Sequence, residues 1–124
     1  MLSATEIQNK TALSDDELYR EVGLALGRGA VVGDPQGKGQ GFLASIRNQL
    51  QDSVCRSQLI RLMHEQQADT MFFVAAIADA VTSLLVTLAV PVSPVTVAVL
   101  LFRSGVGNLC HSLWKPEANA SGHS

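Results

Sequence analysis

The stretch MFFVAAIADAVTSLLVTLAV at residues 71–90, followed by PVSP at 91–94 and VTVAVLLF at 95–102, decides how this chain folds. Across these residues the only charged side chain is Asp79. The first part is about 20 residues long, and at about 1.5 Å per residue a helix of that length matches a bilayer core of about 30 Å. Pro91 and Pro94 bracket a break, because proline ends a helix and biases the residue before it toward an extended conformation. The second apolar run continues through Arg103 and Gly105 to Leu113 and Trp114. The pattern predicts a hydrophobic helical hairpin over residues 71–114.

Such a hairpin belongs either in lipid or in a protein core. Length and the near absence of charge favour lipid. Against it, residues 95–102 cover only about 12 Å as a helix. A full return crossing would extend to Trp114 and carry Arg103 near mid-depth, at a cost of about 3 kcal/mol. With the turn centred between Val92 and Ser93, an antiparallel partner brings Arg103 opposite Thr82, less than one turn from Asp79. An Asp79–Arg103 pair is then within reach in either environment.

Asp79, Thr82, Ser83 and Thr87 follow the spacing i, i+3, i+4, i+8, which sets them on one face about 140° wide. Phe72 and Val86 interrupt this stripe, and Ala75 and Ala76 on the same face permit close helix approach. In water the stripe would be the exposed edge of a buried helix. In a bilayer it would face a helix seam or a narrow pore, with Asp79 favouring cations. Arg56 and Arg61 before the hairpin and Lys115 after it, around an uncharged turn, are compatible with both ends in the cytoplasm. Trp114 stands where an interfacial aromatic would be expected.

Working outward, the residues before the hairpin read as shorter helices. Ser3 with Glu6, and Ser14 with Glu17, fit the S-x-x-E capping box. Asp15 and Asp16 reinforce the second through the helix dipole. The helix it opens is expected over residues 15–26, with Leu18, Val22, Ala25 and Leu26 on its apolar face. Residues 27–41 hold six glycines and Pro35 and read as a loop or linker. Within it, GDPQGK at 33–38 approaches a phosphate-binding P-loop but has three residues where four are needed before Gly-Lys, and Gly39 where Ser or Thr should hold magnesium. A second long helix is expected from near Phe42 in an amphipathic helical region over residues 42–70, with Phe42, Ile46, Leu50 and Val54 recurring every four residues and Leu59, Ile60, Leu62 and Met63 resuming the pattern. The tail, 115–124, is small and polar.

With 124 residues there is room for one domain. Nine Lys+Arg against 11 Asp+Glu leave a formal charge of −2, without the basic footprint of nucleic-acid binding. Hydrophobic residues make up 47% and charged ones 16%, which excludes a wholly disordered chain. Cys55 and Cys110 each follow an apolar residue and read as reduced, inert thiols in an intracellular setting. His64, His111 and His123 form no metal-ligand pattern, and Cys110 and His111 would diverge on a helix. The first residues lack the basic and apolar regions of a secretory signal. Without a nucleophile elbow or an activated cysteine, the chain reads as non-enzymatic, with no cofactor.

The amphipathic beginning, the apolar segments VAAIAD at 74–79 and VTVAVLL at 95–101, and the Gly105 and Leu109-Cys110 that follow resemble small bacterial proteins associated with anti-phage conflict systems. Some of these are two-helix effectors that oligomerise and permeabilise the inner membrane. The likeness covers residues 42–111. It implies a homo-oligomer at the inner membrane with a lipid bilayer as partner, and the stripe's own spacing would then set Asp79, Thr82, Ser83 and Thr87 at the seam or pore, balanced by Arg103. The other expectation is a cytoplasmic all-α adaptor whose hairpin forms its own core or docks into a protein partner. Both are all-α.

Overall fold

The computed structural model describes residues 4–27 and 34–114, all of them in helices or the connections between helices. The Ser3 cap, residues 28–33, His123 and the tail with Lys115 lie outside the described residues. Helices α1 (Ala4–Thr11) and α2 (Asp15–Gly27) open the chain. The second capping box forms as the sequence predicts: the Ser14 N–H donates to Glu17 Oε1 at 2.9 Å, and the Glu17 N–H donates to Ser14 Oγ at 3.1 Å.

The glycine-rich segment is not wholly a linker. From Pro35 to Ser45 it is helix α3, opened by Asp34, whose carboxylate accepts from the Gln36 N–H, with proline in the first turn. Glycine costs a helix about 0.5–1 kcal/mol per residue, so something must offset it. Part of the offset is contact. A Cβ on Gly23 would fall 1.8 Å from the Pro35 carbonyl oxygen, and one on Gly39 would fall 2.0 Å from that of Tyr19. The backbones of α2 and α3 therefore touch where any side chain would hold them apart.

The amphipathic stretch that follows is divided rather than continuous. Helix α4 runs Arg47–Cys55 and α5 runs Gln58–Glu65. Ile46 separates α3 from α4 with φ −108° and ψ 16°, outside helical geometry. Ser57 opens α5 in an extended conformation, its hydroxyl accepting from the Ile60 N–H at 3.2 Å. The apolar period carries across both breaks, which is why periodicity alone did not reveal them: Ile46, Leu50, Val54 and Ile60 are all buried.

Helix α6 spans Thr70–Thr87, capped by Asp69, and α7 spans Pro94–Ser104, capped by Ser93. The two pack together. Every residue of α7 from Val95 to Leu101 is buried, Thr96 included. A helix apolar all round belongs inside, and α1, α2 and α6 cover it. The second apolar segment does not run on as one helix to Trp114. Gly105, with φ +102°, ends α7, and a short α8 (Val106–Cys110) begins after it.

The two cysteines, expected as free thiols, are instead joined. Cys55 at the end of α4 and Cys110 at the end of α8 form a disulfide, their Cα atoms 5.4 Å apart. Their separation of 55 residues hid the pairing, because α5, α6 and α7 leave α4 and bring the chain back to it. The bridge is buried, and Trp114 adds a second tie by donating its indole N–H to the Cys55 carbonyl at 2.8 Å.

Candidate functional site

The face of α6 that carries the stripe points away from the core. Asp79, Thr82, Ser83 and Thr87 are all exposed, as their helical spacing requires once Phe73, Val74, Ile77, Ala78, Val81 and Leu85 turn inward. Phe72 and Val86 lie on the same outward face, 69% and 73% exposed. The surface is therefore an apolar residue near each end with polar groups between. The Thr82 hydroxyl donates back to the Ala78 carbonyl at 2.7 Å and that of Thr87 to the Ser83 carbonyl at 2.9 Å. Both hydroxyl protons are spent on the helix backbone, which leaves their oxygens as acceptors. The Asp79 carboxylate has no hydrogen-bond or ion-pair partner among the described residues.

Arg103 does not meet Asp79. Its guanidinium donates to Asp15 Oδ1 at 3.0 Å and to the Thr11 carbonyl at 2.6 Å. The cause is the burial of α7 beneath the first two helices. Its last turn ends where α1 presents a carbonyl at its negative end and α2 presents the acidic residues of its first turn. The sequence brings Arg103 within reach of α6 if the hairpin stands alone, and the covering helices intercept it.

Other polar features sit away from this face. Thr96, buried in α7, donates its hydroxyl to Glu21 Oε1 at 3.2 Å, and Lys10 Nζ meets the same oxygen at 2.5 Å. Thr96 and Glu21 border a cavity of about 250 Å³ between α2, α7 and the 91–93 connection. A second cavity, of about 240 Å³, opens between α2, α3, α4, α7 and α8. Periodicity could not show it, because it depends on how close α3 comes to α2. His64 stacks near Trp114 with ring centroids 5.3 Å apart. No group of three or more histidine, cysteine or acidic side chains converges as metal ligands among the described residues.

Among the described residues the one clear electrostatic shift lies at the start of α2. Glu17 is held below its usual carboxylate range, first by the Ser14 backbone N–H and then by the Ser14 side chain, with burial opposing weakly. This is a structural cap and contributes nothing to the α6 face. Comparison with protein families, with curated proteins and with solved structures finds no match to this chain.

Proposed function

We propose that this protein is a helical interaction module whose hydrophobic hairpin supplies its own core and whose outward α6 face receives a helix of another protein. The observation that carries this reading is the division of labour between the two apolar helices. The whole stretch of α7 from Val95 to Leu101 is buried, while α6 keeps Phe72, Asp79 and Val86 in solvent. Phe72, Asp79 and Val86 recur every seven residues, the spacing of a seam between two helices. A second copy paired through this face would bring two Asp79 carboxylates together. The better partner is therefore an amphipathic helix with a lysine or arginine among apolar residues. Size-exclusion chromatography with light scattering in plain buffer tests the first half, and a single species of one chain is expected. Protein recoverable only in detergent would overturn it.

A second reading, a membrane-inserting effector of a bacterial defence system, draws on α6 itself. That helix has 18 residues with a mean hydropathy of 1.8, and 33% of it is buried. It is the one described helix long and apolar enough to cross a membrane, a property that core helices share. A return leg meets an obstacle. At 11 residues α7 reaches only about 16 Å, so crossing requires fusion with α8 through Gly105 and departure of Cys110 from Cys55. Vesicle flotation with and without a dithiol reductant separates the readings. The module is expected to stay with the soluble fraction in both, and flotation would support the membrane effector.

A further inference from the structure

We infer that the cavity between α2, α3, α4, α7 and α8 binds a short aliphatic carboxylate, with its chain against leucines and its head group on Arg47. This goes beyond the α6 reading and does not depend on it. The floor of the cavity includes Leu50, Leu100 and Leu109, each no more than 4% exposed. Tyr19, Gln40 and Arg47 form part of its lining, and among the described residues no acidic side chain lines it.

Arg47 is what sets this cavity apart. The ion pairs in the described residues engage Lys10, Arg56, Arg61 and Arg103, and the Arg47 guanidinium has no hydrogen-bond or ion-pair partner there. It is also the first residue of α4, whose start is not capped by any side chain, so the positive end of that helix adds to its charge. The Tyr19 hydroxyl and Gln40 amide likewise have no hydrogen-bond partner among the described residues. A carboxylate is the group a guanidinium recognises with two parallel hydrogen bonds. The leucine floor requires the rest of the ligand to be apolar, since a polar one would lose hydration without compensation. The volume, about 240 Å³, lies below the roughly 300–1,000 Å³ of drug-sized sites, which limits the ligand to a single short chain. The neighbouring cavity at Glu21 makes the contrast, because Thr96 and Lys10 already satisfy its carboxylate.

Octanoate is the probe, titrated into the full chain with isothermal calorimetry and leucine methyl NMR. Octylamine, octanol and an eight-carbon lysophosphatidylcholine are run beside it. Saturable octanoate binding that shifts the floor leucine methyls is expected, with at least tenfold weaker binding in Arg47→Gln and none in Ala44→Trp, which fills the cavity from an exposed lining position. Arg47 is exposed and unpaired, so its variant folds whether or not Ala44→Trp does. Failure of octanoate to saturate below its micellar range would overturn the assignment. So would equal binding by the amine or the alcohol, or unchanged affinity in Arg47→Gln. Equal binding by the lysolipid would overturn it too, because the chain and not the carboxylate would then decide.

Discussion

Arg103 Nη1 lies 3.0 Å from Asp15 Oδ1, so the last turn of the most buried helix is tied to the first turn of a helix 88 residues earlier. The pair is partly shielded on the arginine side and open on the aspartate side, and its second bond goes to the Thr11 carbonyl. Arg103→Ala should lower stability by about 1 kcal/mol, read as a shift in the urea midpoint. Asp79→Asn should change stability by less than about 0.5 kcal/mol, because an exposed, unpartnered carboxylate holds nothing in place. The two substitutions should add. A coupling above about 0.5 kcal/mol in the double mutant would restore the Asp79–Arg103 pair that the hairpin in isolation suggests.

The glycines of α3 separate close contact from composition. Gly39→Ala forces a Cβ to within 2.0 Å of the Tyr19 carbonyl oxygen, backbone that cannot step aside, and should destabilise by about 3 kcal/mol or more. Gly41 has open space around its Cβ position, and Gly41→Ala should stabilise by about 0.5–1 kcal/mol through the unfolded chain and the helix. Thermal melts of the two variants should therefore move in opposite directions. Equal losses would mean that α3 is not seated on α2 as described.

Those same glycines mark the limit of what could be read from sequence. The second capping box, the span of α2 and the PVSP break depend on residues a few places apart, and local chemistry determines them. Residues 35–41 read as a loop because they belong to the run 27–41, where six glycines with a proline usually mean one, and the compensating partner, the Tyr19 backbone, is remote in sequence. The stripe on α6 was legible because it is a matter of spacing along one helix. Arg103 was misassigned because its partners, Asp15 and Thr11, belong to helices that the hairpin pattern does not contain.

The start of α2 should register in the acid limb of stability. The folded state holds Glu17 below its ordinary value, so the cap contributes fully above the unfolded value and is lost as pH falls through the depressed folded one. Glu17→Gln should therefore narrow its stability difference from the parent as pH drops from neutral into that acid window. A difference independent of pH would show that the carboxylate charge plays no part in the cap.

The Cys55–Cys110 bridge closes a loop that contains α5, α6 and α7 entirely, and its reduction should be felt by all three. For a closed loop of this size the unfolded chain loses entropy worth about 4 kcal/mol, so Cys110→Ser, or reduction of the parent, should lower stability by about that amount. The fold should survive, because Leu109 and Val106 stay buried on α8 and Gln51 still donates to the Leu109 carbonyl. Amide hydrogen exchange offers the sharper measurement. Protection should fall first in α8 and at Trp114, whose indole bond to the Cys55 carbonyl loses its anchorage, while residues 95–101 of α7 remain the slowest to exchange. If α7 exchanged as fast as α8 on reduction, the bridge rather than the covering helices would be what keeps the apolar core from water.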